Sequence, residues 1–251
     1  LTQDQTPRVW SLLISVFGDI AQEKGAQISG PFLRQLTGMI GIKPEAMRVA
    51  LHRLRKEGWI ESHRRGRTSA YCLTAWGRAQ TVTASPRIYA TGPAAKAAWL
   101  AVFNPAQPAP SDEANGAWVS SNMLITSRKP DHGHAFSSHL TPDTEMPDWM
   151  TGKVCDTKTL RLSQDFAQAL DAVKDQLTGP LNPLETAVLR VLLVHGWRRI
   201  VLKTPVLPDH VFPEGWSGGP CRASVAALLM QYPKPPIGVL EAAITSEQDT
   251  D

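Results

Sequence analysis

The strongest chemical signal in the chain is a set of basic side chains at helical spacing. Arg48, Val49, His52 and Arg53 lie in the stretch KPEAMRVALHRLRKEGWIE, on the side away from Met47, Ala50, Leu51 and Leu54. A guanidinium is a planar fork that bonds both acceptors on the edge of guanine, or grips phosphate oxygens. The N-terminal half of such a helix meets base edges, so these four residues are the base-contact candidates. Lys43 and Lys56, at its two ends, suit phosphates. The next segment, SHRRGRTSAY, clusters Arg64, Arg65 and Arg67 around Gly66, a basic tip suited to the duplex backbone or minor groove, and Ser69 adds a neutral hydrogen bond. A basic helix alone is as readily a solvated face. Two helices before it and a basic hairpin after it make a winged helix-turn-helix the better reading, with double-stranded DNA as partner.

Other constellations are weaker. Asp131, His132, His134 and His139 form a histidine-rich cluster that, on a strand, could grip a transition metal; a metal-dependent hydrolase using His132 and His134 is the alternative function, although exposed loop histidines are commoner. Cys221 follows Gly218-Gly219-Pro220 near a helix start, where a thiolate is favoured, but an inert thiol is the simpler reading. Trp118, Trp149, Trp197 and Trp216 are most simply core or interdomain residues, and His63 a surface histidine. There is no nucleophile–base–acid set, so no catalytic residue, resident metal or cofactor is expected.

The elements that must position the basic residues follow from local signals. Thr6-Pro7 opens a first helix with an apolar stripe from Val9 to Ile20, and Gly25 ends it. Ser29 caps a second helix from Pro31 to about Ile40. The third runs from Pro44 to about Glu57. Alternation predicts strands over Trp59–Arg64 and Thr68–Leu73 joined by Arg65-Gly66-Arg67, then a helix capped by Thr74. Beyond Tyr89 the pattern predicts strands at Ala98–Phe103, Trp118–Thr126, His134–Ser138 and Gly152–Asp156. Helices are predicted over Ser163–Leu177, from Asn182 to Trp197, and over Arg222–Gln231, with a loosely tied tail after Tyr232.

Composition agrees with a globular regulator-sized chain. Its 251 residues are 42% apolar and 20% charged, enough to bury a real core. The formal charge of +3 is unevenly placed. Residues 1–90 hold 13 Lys/Arg against 6 Asp/Glu, a surplus of +7; residues 91–251 hold 13 against 17, a deficit of −4. One end is built to meet a polyanion. No apolar run reaches the ~18 residues that span a bilayer, so no membrane partner is expected. The opening LTQDQTPR lacks the form of a signal peptide, and a start without Met points to trimming. Three widely spaced cysteines fit a cytoplasmic location.

Several segments together resemble PaaX-type regulators, the phenylacetic acid degradation operon repressors. They are SVFGDIA (Ser15–Ala21), RVALHRLRKEGWIES (Arg48–Ser62), RRGRTSAYCLT (Arg64–Thr74), PRIY (Pro86–Tyr89) and LLVHGWRRIVLKTPVLPDHVFPEGWSG (Leu192–Gly218). The resemblance implies a homodimeric bacterial repressor of aromatic-acid catabolism, released by an aryl-CoA thioester such as phenylacetyl-CoA. It implies an α+β chain in three parts: a winged helix-turn-helix with linker helix over 1–90, a ferredoxin-like middle domain over 91–178, and a helical effector and dimerisation domain over 179–251. His195, Trp197, Arg198 and Arg199 are the effector candidates, since two guanidinium groups beside an aromatic ring suit a CoA phosphate. Two departures stand out. The Pro-rich segment 104–116 replaces a helix between the first two middle strands, which leaves open whether the ferredoxin-like sheet is complete, and Gly196 replaces an acidic residue common beside the histidine. The middle fold is also similar to a small CRISPR-associated metal nuclease, but Asn104 stands where that enzyme has an acidic residue, so no nuclease activity is inferred.

Overall fold

Val9, Leu12, Leu13, Val16, Phe17 and Ile20 recur at helical spacing and form the inner side of α1 (Val9–Ile20). The structure is a computed structural model that describes residues 9–66, 68–106, 116–130, 135–177 and 179–248; the expected Thr6 cap lies outside them. α1 stops at Ile20, before Gly25. Gly25 instead serves the next turn: Ala26 N–H bonds the Glu23 carbonyl, and Gly25 takes φ +83°, a conformation open to glycine at that turn position. β1 (Ile28–Ser29) leads into α2 (Gly30–Met39), whose N-terminus is capped as expected by Ser29, with Oγ accepting from Phe32 N–H at 3.1 Å.

α3 (Pro44–Lys56) buries Met47, Ala50, Leu51 and Leu54, the predicted stripe. β2 (Ile60–Arg65) and β3 (Thr68–Leu73) pair antiparallel, and β1 joins the far side of β3, giving the order β1-β3-β2. Arg65 stands opposite Thr68, so β2 extends through Arg65, which was expected in the turn. Gly66, next in the chain, has φ +60°, a left-handed conformation that glycine adopts readily. Thr74 caps α4 (Ala75–Ile88) as predicted, with Oγ1 accepting from Gly77 N–H at 3.0 Å.

The chain forms two compact units that do not follow chain order. One comprises residues 1–86, 176–196 and 227–251; the other comprises 87–175 and 197–226. Segment 179–251, expected as one domain, therefore contributes to both. In the first unit the side chains of α1, α2 and α3 share a core with Leu184, Ala187 and Val191 of α7 (Pro183–Val201) and with Leu240 and Ile244 of α9 (Ile237–Gln248). Each buried Leu, Ile or Val among them contributes about 1.5–3 kcal/mol. The tail is thus not loose after Tyr232: Pro235-Pro236 punctuates the chain, and α9 restarts to bury Leu240 and Ile244 at i, i+4. α7 begins in a reciprocal cap, Asn182 Oδ1 accepting from Glu185 N–H (2.8 Å) and Glu185 Oε2 from Asn182 N–H (2.9 Å).

The second unit holds a four-stranded antiparallel sheet in the order β5-β6-β4-β7, from β4 (Ala98–Phe103), β5 (Gly116–Ser120), β6 (Met123–Thr126) and β7 (Ala135–Leu140). Ala98, Ala117, Val119, Ile125 and Leu140 pack with Met150 and Val154 of α5 (Asp148–Val154) and with Leu207, Val211 and Phe212. Two predicted strands come out differently. Trp118–Thr126 is a hairpin, because Ser121 and Asn122 break the run. Gly152–Asp156 belongs largely to α5, where Pro147 starts a helix that buries Met150, Thr151 and Val154 on one side. Asp156 Oδ1 then caps α6 (Thr157–Gln176) by accepting from Thr159 N–H, so this helix starts before the predicted Ser163; the cap also holds the Asp156 carboxyl below its ordinary pKa. α8 (Gly218–Gln231) likewise starts before Arg222.

Candidate nucleic-acid interface

α3 presents Lys43, Arg48, Val49, His52, Arg55 and Lys56 to solvent, while its opposite side is packed on α1 and α2. Val49 is 70% exposed, far from the burial a valine ordinarily finds. Arg48 Nη2 is 3.8 Å from Glu45 Oε1, with both side chains mostly exposed; such a surface pair contributes only ~0–1 kcal/mol, so the guanidinium is available to a stronger anion. A groove runs between the start of α2, the exposed side of α3 and β3. Arg34, Arg48, His52, Arg55 and Ser69 line it together with Tyr71. A second depression, lined by His52, Arg55, Lys56 and Ser62, continues along α3 towards β2.

The predicted residues are thus only partly brought together. Arg48, His52 and Ser69 share the groove, and Lys56 lines its continuation. Arg53 does not join them. Its Nε donates to Glu57 Oε1 at 2.6 Å, and its guanidinium lies 4.7 Å from the centre of the Trp10 ring, which ties it to α1. Arg64 is exposed on the hairpin, with Nε donating to the Gly66 carbonyl at 3.3 Å. Arg65 ends β2; Arg67 lies outside the described residues. Arg34 and Arg55 are the charged groove residues outside the sequence candidates. Arg55 follows Arg48 at i+7 and was legible in the helical period; Arg34, on α2, depends on tertiary packing.

Two elements hold α3 and its neighbours from behind. Asp19 on α1 and Arg190 on α7 form a buried two-point ion pair at 2.9 and 3.0 Å. Glu241 of α9 reaches β1, where Oε1 accepts from Ser29 N–H at 2.7 Å.

The effector candidates occupy one helix but not one environment. His195 is buried, with Nδ1 3.1 Å from Ser15 Oγ of α1. Trp197 is 1% exposed and lies under Arg222, whose Cζ is 5.6 Å from the ring centre. Arg198 and Arg199 are half-buried, and burial lowers the pKa of Arg198. Cys221 is wholly buried, its Sγ donating to the Ser163 carbonyl at 3.4 Å, and burial pushes its pKa to about 12. Solvent does not reach the sulfur, which fits the inert thiol of the simpler reading. Asp131, His132 and His134 lie outside the described residues; His139 packs against Trp99, ring centres 4.7 Å apart. Among the described residues no helix is long and apolar enough to cross a membrane.

Comparison with known proteins adds three findings. Residues 8–77 match the family model described as PaaX-like protein. Residues 155–235 match the model of the PaaX-like protein C-terminal domain. The chain is 28% identical over 242 residues to the Transcriptional repressor PaaX of Escherichia coli (strain K12), with 84% of this chain and 76% of that protein covered.

Proposed function

The chain belongs to the PaaX-like family, whose members are transcriptional repressors and not enzymes, and on that premise we propose that it binds operator DNA as a dimeric repressor of phenylacetate-type catabolic genes. In this reading residues 1–90 are a winged helix-turn-helix with linker helix: α3 enters the major groove and the β2–β3 hairpin is the wing. The carrying observation is the groove that gathers Arg34, Arg48, His52, Arg55 and Ser69 on one exposed surface. Arg48 and His52 read base edges; Lys43, Lys56 and Arg64 hold phosphates. Family membership sets aside the metal-dependent hydrolase.

Residues 91–178 supply the α+β middle region. The strand order β5-β6-β4-β7 supports a ferredoxin-like sheet, in which β4 and β5 run in the same direction and need a crossover. Residues 179–251 take the effector and dimerisation roles. An aryl-CoA thioester releases the dimer by favouring a geometry whose recognition helices no longer match two half-sites, and it can do so only through unequal affinity for the two states. Operator gel shifts with a panel of such thioesters test this; unchanged affinity across the panel rules out that effector class.

Arg48→Ala should lose about 1–3 kcal/mol on a duplex selected for tight binding and far less on a scrambled one. Arg64→Ala should lose the same on both and flatten the salt dependence. Equal losses on both duplexes for Arg48→Ala would remove it from base reading.

A further inference from the structure

We propose that Glu61, His63 and Cys72 form a binding site for a thiol-seeking divalent cation, with Zn2+ the best match to the donor set. Strand pairing puts the three together. Glu61 stands directly opposite Cys72, and His63 lies two residues along β2 on the same side of the sheet. One oxygen, one nitrogen and one sulfur from these side chains all lie within 4.8 Å of one another. Glu61 Oε1 is the hub, 3.4 Å from Cys72 Sγ and 3.6 Å from His63 Nε2. Metal–ligand bonds of about 2.0–2.3 Å place neighbouring donors of a tetrahedral zinc roughly 3.5 Å apart, so small side-chain adjustments complete the geometry.

The donor types select the ion. Thiolate and imidazole beside one carboxylate suit zinc and neighbouring transition metals, whereas magnesium and calcium take oxygen sets. The surroundings are asymmetric. Cys72 is 6% exposed, while Glu61 and His63 are about half exposed and leave a solvent side for entry and for water as fourth ligand. Two anionic donors, carboxylate and thiolate, would match the charge of the ion. On binding, the cation displaces the Cys72 thiol proton, which leaves to solvent, as the sulfur–metal bond forms. Bound there, the ion cross-links β2 to β3 beneath the basic tip.

Cobalt(II) titrated into the full-length reduced protein is the probe. The expected result is one ion per chain, with a thiolate-to-cobalt charge-transfer band, ligand-field bands of tetrahedral intensity, and displacement by Zn2+. Cys72→Ser should abolish the charge-transfer band, and His63→Ala should weaken binding by at least about tenfold. Absence of a thiolate band at stoichiometric cobalt, or a band that survives Cys72→Ser, overturns the site. If Cys72→Ser fails to fold, Glu61→Gln and His63→Ala decide it: unchanged affinity in both overturns the site equally. The readout is the metal alone, so the result is independent of how the hairpin meets DNA.

Discussion

Asp19→Ala should destabilise the protein by about 3–5 kcal/mol, the loss seen when one partner of a buried ion pair is removed. Asp19 and Arg190 are 2% and 8% exposed, and the guanidinium meets the carboxylate at two points. Its remaining amino group donates to the carbonyls of Leu229 and Tyr232 at 3.1 and 2.8 Å. Truncating Asp19 leaves that positive charge in the interior with only neutral acceptors, and its desolvation is then uncompensated. Asp19→Asn keeps the shape and some hydrogen bonding and should lose less. Asp19→Leu combined with Arg190→Met should recover part of the loss, since apolar replacements of both partners remove the charge together. Recovery is incomplete because the Leu229 and Tyr232 carbonyls lose their donor. Urea unfolding measures all three. A loss below about 1 kcal/mol for Asp19→Ala would mean that water reaches Arg190 and the pair is not a buried one.

The same pair shows what was legible in the sequence. Helix caps are local: Ser29, Thr74 and Asn182 each bond a backbone N–H three residues on, and all three were readable as single residues before an apolar period. The stripe on α3 was readable for the same reason. Asp19 and Arg190 lie 171 positions apart, and nothing in either neighbourhood names the other. Arg34 and Glu241 are likewise placed by packing alone. Arg53 satisfied the helical period as well as Arg48 does, yet Trp10 and Glu57 claim it. Periodicity identifies the exposed side of a helix without saying which exposed residues a neighbour will take. The failed strand at Gly152–Asp156 has a different cause. Its run is too short for alternation to outweigh a helix, and Asp148 and Met150, which start the turn, fall before it.

Gly77 is a site where helix propensity and packing predict opposite signs. It lies in the first turn of α4, where alanine is favoured over glycine by up to ~1 kcal/mol, so propensity alone predicts stabilisation. A Cβ at this position would sit 2.2 Å from the Trp59 carbonyl oxygen and 3.2 Å from Trp59 Cα. Those are backbone atoms and cannot rotate away. The same carbonyl accepts from Thr74 N–H at 3.0 Å, and Thr74 Oγ1 bonds the Gly58 carbonyl at 2.6 Å, so this contact joins the start of α4 to the start of β2. Relieving the clash means moving the two apart, which strains the Thr74 cap and the edge-to-face packing of Trp76 on Trp59 (ring centres 4.8 Å apart). Gly77→Ala should therefore destabilise by about 3 kcal/mol, the upper end of what overpacking costs. Gly38 lies in the last turn of α2 with nothing near its added Cβ. Gly38→Ala should follow propensity and be neutral or stabilising. Thermal unfolding of the two variants separates the effects, and if Gly77→Ala is as stable as Gly38→Ala, close approach of the two backbones is not what requires glycine there.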